Sequence, residues 1–508
     1  MNVFVDPSFD PVPSLQHQTA VSVVDQDPGT GTLVVFVSTE GELPAAVTLD
    51  RDQLKAAGFT GKSGETLNLP GSRHTVLVGV GKKLATPAKV RDAVAAATRA
   101  AKDASEFVFD FTDLLGDGLC VRRSAAGTVE GAVLARYSWD ALKNKANTTQ
   151  LETVTVVVNS DQLEKAEAGA AKGKVFARSA ALARDLGNTP PRHLNAADYA
   201  ELIEKLAPQF GLETEVYDRK KIEELGLGGL LGVNAGSVQE PRVVKLKWRP
   251  ENANGHIAWV GKGIMYDSGG ISLKPSNPSH ASMKMDMMGS AAVFAAMTAL
   301  RDRDVKTAVT GWLMCTDNMP SGSATKLGDV LTMRNGKTVE VRNTDAEGRL
   351  VLGDGLALAT EETPRPDVLV DVATLTGAAL MALGEETTAL FANNDSVAQQ
   401  LTTAADETDD VVWRMPLDHR LKAGMKSTVA DFANIGSAPG GAITAALYLN
   451  EFVDGIPWGH LDIAGTMEVT SDTGWRSAGS TGVGARILAE FAEAFEKPEG
   501  DVDTGDED

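Results

Sequence analysis

Asn343-Thr344-Asp345-Ala346-Glu347-Gly348-Arg349-Leu350 sets two carboxylates two residues apart, with an arginine two further on and a helix-like run, Leu350 to Thr360, directly behind them. In an extended segment residues i, i+2 and i+4 project to one side, so Asp345, Glu347 and Arg349 could address a single point. Acids ahead of a helix are also what N-terminal capping and the helix dipole select. The octapeptide alone does not separate these readings; other segments must.

Two segments offer matching chemistry. After an apolar strand expected at His256 to Val260 comes a stretch with glycines at 261, 263, 269 and 270, among which stand Lys262, Asp267 and Lys274. Glycines let a backbone turn sharply and approach a ligand closely, and α/β sheets place their sites in loops at strand carboxyl ends. A plain turn with solvated lysines is the alternative. In Met283-Lys284-Met285-Asp286-Met287-Met288-Gly289 a single carboxylate stands among methionines before a helix. It is either a helix cap or a charge awaiting a cationic partner. Four converging carboxylates, Asp267, Asp286, Asp345 and Glu347, would repel unless neutralised, and two divalent cations are the arrangement that two-metal hydrolases use. Lys274 and Arg349 would remain for a substrate. The seven histidines form no ligand motif, and His460 reads more readily as a structural residue than as a ligand. An oxygen-rich ligand set admits manganese, magnesium, cobalt or zinc.

Outward from these segments the chain alternates strand-like and helix-like runs. Strands are expected at Val21 to Val24, Leu33 to Val37, Thr75 to Val80, Phe107 to Phe111 and Thr153 to Val158, with helices at Ala88 to Ala104 and Ala125 to Tyr137. An Ala-rich run from Gln162 to Leu186 reads as one long helix, stopped by Pro190-Pro191. A second α/β set follows. The expected fold class is therefore α/β in two domains, each a mixed or mostly parallel sheet flanked by helices, the C-terminal one catalytic. The expected boundaries are 1–160 for an N-terminal scaffold or assembly domain, 161–187 for a connecting helix, 188–495 for the catalytic domain and 496–508 for a disordered tail. That tail carries seven acids and one lysine.

The 508 residues suffice for two or three domains at roughly 150 residues each. A net charge of -21 disfavours nonspecific binding to nucleic acid or anionic lipid. Residues 1–160 carry 15 basic and 18 acidic side chains, and neither a G-x-G-x-x-G nor a P-loop follows their strands, so nucleotide binding has no motif support. Cys120 and Cys315 lie in apolar runs, as buried free thiols usually do, and argue against a disulfide scaffold and a Cys-based zinc site. With no signal-like N-terminus and no apolar run of about 18 residues, a cytoplasmic protein without membrane contact is expected.

Val260 to Gly263, Asp267 to Gly270, the Asp286 segment, Asn343 to Leu350, Ala373 to Ala378 and His460-Leu461-Asp462-Ile463-Ala464-Gly465 together resemble the leucyl aminopeptidase (cytosol aminopeptidase) family, peptidase family M17. The octapeptide is that family's signature, and the resemblance covers roughly Asp185 to Glu490. It implies a metallo-exopeptidase that hydrolyses the first bond of peptides with a free α-amine, preferring large apolar residues such as Leu and Met. One metal would be held by Asp267, Asp345 and Glu347, the second by Lys262, Asp267, Asp286 and Glu347, with Mn²⁺ or Zn²⁺ first among the candidates. Lys274 and Arg349 would be the catalytic pair, Arg349 holding a bicarbonate as auxiliary base. Met283, Thr374, Gly377, Ala464 and Met467 would line the pocket for the first side chain. The resemblance further implies a homohexamer. Met265-Tyr266 and Ser323 to Leu327 depart from the family's commoner wording without touching an implied ligand. Two competing readings are a DNA-binding regulator, which needs a basic groove, and a dinuclear phosphohydrolase using the same carboxylates.

Overall fold

The computed structural model describes residues 9–112, 114, 118–145 and 149–505. It divides into two compact units that do not follow chain order. One contains 12–181 and 469–479, the other 9–11, 182–468 and 480–505. The expected partition at 160 and 187 therefore moves into the helix Leu163–Asn188, and a short later segment joins the first unit.

In the first unit six strands, β1 (Ala20–Val24), β2 (Thr32–Val37), β3 (Thr66–Leu69), β4 (Thr75–Gly79), β5 (Glu106–Asp110) and β6 (Thr153–Val157), form a sheet in the order β1-β6-β5-β2-β4-β3. Every neighbouring pair is parallel except β3 with β4. The helix Pro87–Ala100 starts where Thr86 accepts from Lys89 N and Pro87 needs no partner for a missing N–H. Arg99 holds the returning segment, donating to Asp472 Oδ2 at 2.5 Å and to the carbonyls of Gly474 and Arg476. Cys120 is exposed at the start of the helix Val121–Ala135, unlike buried Cys315 and contrary to the expectation of two buried thiols.

The second unit is built on β7 (Glu213–Tyr217), β8 (Arg242–Trp248), β9 (His256–Asp267), β10 (Ala308–Asn318), β11 (Val330–Thr332), β12 (Thr338–Glu340), β13 (Val368–Ala373), β14 (Thr388–Ala392), β15 (Val412–Arg414), β16 (Phe432–Ala433) and β17 (Trp458–Asp462). Eight of them make one sheet in the order β15-β14-β17-β13-β9-β10-β8-β7, and β11-β12-β16 make a small one. The four central neighbours β17, β13, β9 and β10 are parallel, so their carboxyl ends lie together. Buried on both faces, they read as near-continuous apolar runs. The helix Gly348–Thr360 packs on this core through Leu350, Val351, Leu352 and Leu356. Its buried Asp354 accepts from Leu230 N and Arg334 N, both at 2.9 Å, and burial pushes its carboxyl up to about 7. Among the described residues no helix is long and apolar enough to cross a membrane.

β9 corrects one sequence expectation. It does not end at Val260 but continues through Gly261, Lys262 and Gly263 to Asp267, so the first two glycines lie inside a buried strand. They are there for packing: a Cβ on Gly261 would lie 2.6 Å from Ser290 Cα and 2.8 Å from Gly289 O, atoms of a backbone that cannot yield. Gly261→Ala is therefore expected to destabilise the unit by about 1–3 kcal/mol, read as a lower denaturation midpoint at unchanged slope. The acidic tail is a second correction. Over 496–505 it is pinned rather than disordered, because Asn394 Nδ2 donates to the carbonyls of Glu499, Gly500 and Asp501, and Asp503 N donates to Asn393 O. Residues 506–508 lie outside the described part.

Candidate active site

Four strand ends converge. β9 delivers Asp267, β10 Asn318, β13 leads into Thr374, and β17 ends in Asp462. A register shift between β10 and β9 sets Asn318 opposite Asp267, where Asn318 Nδ2 donates to Asp267 Oδ1 at 2.8 Å and to the Thr344 carbonyl at 2.9 Å. Gly269 and Gly270 then turn the chain back with φ of +88° and +63°. At Gly269 a Cβ would also sit 2.8 Å from Asp345 Oδ1 and 2.9 Å from Lys274 N, so glycine is required twice over. Thr344 stitches this turn to the octapeptide: its Oγ1 donates to Gly269 O at 2.7 Å and accepts from Ser272 N at 2.8 Å.

The octapeptide is not extended throughout. Glu347 is already helical (φ -78°, ψ -34°) and Arg349 lies in the first turn of the helix, so strand spacing is not what aims the three side chains. Glu347 occupies the N-cap position of that helix, yet its side chain makes no cap hydrogen bond. It turns inward to Lys262 Nζ, 2.8 Å from Glu347 Oε1, 2.9 Å from Asp286 Oδ1 and 2.7 Å from the Thr374 carbonyl. Gly348 makes room, because a Cβ there would fall 2.8 Å from Lys262 Cδ, Cε and Nζ. Lys274 Nζ lies 2.9 Å from Asp267 Oδ2 and 2.6 Å from Asp345 Oδ1. Asp267, Asp345 and Glu347 bring carboxylate oxygens within 4.8 Å of one another, and Asp286 joins them through Lys262.

The electrostatics follow from crowding. Burial disfavours the ammonium of Lys262, but Asp286, Glu347 and Asp267 outweigh it and raise its pKa. Lys274 is likewise opposed by burial yet raised by Asp267 and by its hydrogen bonds to Asp345 and Asp267. Asp286 and Glu347 are pushed up, first by burial and then by their like-charged neighbours, which the Lys262 charge offsets in part. Asp345 is raised by burial and by Asp267. Four carboxylates against two lysines leave an excess of negative charge, and Asp286 Oδ2 and Glu347 Oε2 are buried without a hydrogen-bond partner. Arg349, 7% exposed, donates through Nη1 to the Asn434 carbonyl at 2.9 Å, while its buried Nε has no partner.

The expected pocket residues divide. Thr374 Oγ1 donates to Asp286 Oδ1 at 2.7 Å. The Asp462 carboxylate accepts from Leu375 N, Thr376 Oγ1 and Ala464 N, tying the turn before Gly377 to Ala464. Gly377, exposed, opens the helix Gly377–Leu383 with free space where a Cβ would be. Met283 is buried in the single turn Ser282–Met285 leading to Asp286. Met467 is buried, its carbonyl accepting from Thr481 N. His460 is structural on one side: Nδ1 sits 2.6 Å from Asp371 Oδ1, and Trp458 Nε1 donates to the other oxygen. Asn318, Asp462 and Asn434 were not assigned from sequence. Asn318 is the last residue of β10, past its apolar run, and its polar neighbours Thr316 and Asp317 mark that end.

The sequence of the cytosol aminopeptidase family's catalytic domain matches residues 181–489, and that of its N-terminal domain matches 34–146, a region where the motifs alone showed only general character. A probable cytosol aminopeptidase of Streptomyces avermitilis is 43% identical over 463 residues, covering 87% of this chain and 88% of its own. One from Aquifex aeolicus is 38% identical over 476 residues, covering 91% and 94%. Among solved structures, the bottromycin maturation enzyme BotP in complex with Mn superposes with a TM-score of 0.84 at 36% identity, covering 92% of this chain and 99% of that one. A mutant of tomato leucine aminopeptidase does so with 0.83 at 29% identity, covering 94% and 96%. With both domains matched in order and the signature octapeptide at the meeting point of the central strands, the chain belongs to the cytosol aminopeptidase family, M17, and is an aminopeptidase, a hydrolase of peptide bonds.

Proposed function

We propose that the chain is a metal-dependent leucyl aminopeptidase that releases large apolar residues, Leu and Met first, from peptides with a free α-amine. The observation that carries this is the buried carboxylate cluster: four acids, two lysines, and two carboxylate oxygens, Asp286 Oδ2 and Glu347 Oε2, that no protein donor satisfies. Such an oxygen-rich, under-neutralised pocket fits divalent cations. Asp267, Asp345 and Glu347 would hold one ion, and Lys262, Asp267, Asp286 and Glu347 a second. Mn²⁺ or Zn²⁺ would serve, with Mg²⁺ or Co²⁺ as other candidates. When bound, the ions supply Lewis acidity and a water activated near neutral pH.

The chain's own residues do the rest. Lys262 is the internal counter-ion of the cluster, and it would have to shed the Nζ proton shared with Asp286 and Glu347 before serving as a ligand. Lys274, less buried than Lys262, would donate to the scissile carbonyl oxygen as charge develops there. Arg349, with an unpaired Nε, would hold bicarbonate as the base. Met283, Thr374, Gly377, Ala464 and Met467 would receive the first side chain, the methionines adapting their shape to it. A homohexamer in the cytoplasm, with residues 1–160 as the assembly scaffold, completes the reading.

The deciding comparison is leucine p-nitroanilide against its N-acetylated form, with protein stripped of metal and resupplied with Mn²⁺ or Zn²⁺. Metal-dependent cleavage of the free-amine substrate alone is expected. Equal cleavage of both, or turnover of phosphate esters instead, would overturn the proposal.

A further inference from the structure

Asn434 lies 85 residues beyond Arg349 and carries no local motif, yet it is fully buried against the octapeptide. Its side chain uses its whole hydrogen-bonding capacity on one short loop. Oδ1 accepts from Arg342 N at 2.9 Å and Asn343 N at 3.3 Å, and Nδ2 donates to Asn343 O at 2.7 Å and Ala346 O at 3.3 Å. The same residue's main-chain carbonyl accepts from Arg349 Nη1 at 2.9 Å. Its own N–H donates to Glu340 O, extending the parallel pairing of β12 with β16 by one residue. One residue therefore fixes both the backbone that presents Asp345 and the guanidinium of Arg349.

A side chain of this size must carry two acceptor lone pairs and two N–H donors on one planar group, and only an amide does so. Aspartate would keep the contacts to Arg342 N and Asn343 N but lose both donors, set a buried charge against the carbonyls of Asn343 and Ala346, and leave those carbonyls unsatisfied. Arg349 has little else to orient it, since its Nε is buried without a partner. Its aim thus depends on where the Asn434 carbonyl sits, and that is set by the amide clamped to the loop.

We propose that Asn434 is a positioning residue for catalysis. Its amide locks the loop that presents Asp345, and its carbonyl aims Arg349, so that the metal-binding acid and the anion-holding arginine move as one body. The inference rests on the roles proposed above for Asp345 and Arg349. Displacing a positioned group by about 1 Å is enough to cost on the order of 10²-fold in rate, and loss of a residue supporting a metal ligand typically costs about 10–100-fold in affinity.

The test uses full-length Asn434→Ala and the near-isosteric Asn434→Asp beside wild type and Arg349→Ala. Five quantities are read: Mn²⁺ affinity by titration of the metal-free protein, kcat and KM for leucine p-nitroanilide at saturating Mn²⁺, the bicarbonate dependence of kcat, and thermal melting without metal. Both Asn434 variants are expected to bind Mn²⁺ about 10–100-fold more weakly. At saturating metal they should show a kcat reduced by about 10²-fold, KM within about threefold of wild type, and a raised bicarbonate requirement. A lowered melting temperature with wild-type Mn²⁺ affinity and kcat at temperatures where the variants are folded would overturn the proposal, leaving Asn434 a structural residue. If Asn434→Ala fails to fold, Asn434→Asp decides by the same readings. Full activity in Arg349→Ala with an impaired Asn434→Ala would sink the role given to Arg349, yet a weakened Mn²⁺ affinity would still uphold the clamp on the loop.

Discussion

Glu347→Gln is expected to remove aminopeptidase turnover, with kcat/KM down by more than about 100-fold, while the metal-free protein melts no lower than wild type. Both halves follow from the same contacts. Glu347 is 2% exposed, its Oε1 is 2.8 Å from Lys262 Nζ and its Oε2 has no protein partner. Among four carboxylates and two lysines, removing one negative charge relieves repulsion rather than stranding a cation, because Lys262 keeps Asp286 at 2.9 Å. Burial and its acidic neighbours already push the Glu347 carboxyl up, so folding works against its ionised form. A group with a raised carboxyl pKa costs stability once pH rises above its unfolded value, and glutamine escapes that cost. What the amide cannot do is balance a divalent ion. Wild type at 100 times the dissociation constant of Mn²⁺ should gain about 2.7 kcal/mol of stability, and Glu347→Gln should gain little. Melting with and without Mn²⁺ therefore reads the site independently of turnover. A variant retaining the Mn²⁺-induced rise and a tenth or more of the activity would show that the cluster has been misassigned.

How far the sequence carried the reading depends on the range of the interactions involved. Asp267, Asp286, Asp345, Glu347 and their lysines were legible because each sits in a short segment with its own local signature. The central strands were legible as apolar runs, though β9 was cut short at Val260. Glycines inside a buried strand look like a loop until the backbone of Gly289 and Ser290 is placed beside them. The strand Thr388–Ala392 was passed over for a related reason, as five buried residues without alternation carry no period to detect. The convergence of Asp345 and Glu347 was anticipated, but on strand geometry that Glu347 abandons for a helix, and Arg349 donates instead to the Asn434 carbonyl. Asn318 and Asn434 act through contacts 26 to 92 residues away in sequence, beyond the reach of any local pattern. The acidic tail misled through composition. Its main-chain carbonyls, not its charges, meet Asn394.

Lys274→Met is expected to separate catalysis from metal binding. Lys274 Nζ sits between Asp267 Oδ2 and Asp345 Oδ1, two of the oxygens proposed to ligate, so in the metal-free protein its ammonium competes for the same acids. Its raised pKa reflects those partners, Asp267 foremost, overcoming the cost of burial. Methionine keeps much of the length and removes the charge, so Mn²⁺ affinity should rise, opposite in sign to Glu347→Gln. Turnover should fall all the same. A positive donor aimed at an oxygen that gains charge in the transition state acts more on kcat than on KM, and removing one such donor typically costs about 10²–10³-fold. The paired measurement is Mn²⁺ titration and steady-state kinetics at saturating metal on the same preparations. Tighter metal with a kcat loss of that size assigns Lys274 to the developing oxyanion. A loss of activity that tracks weaker Mn²⁺ binding would instead place Lys274 among the residues that build the site, and the oxyanion role would have to be sought elsewhere along its rim.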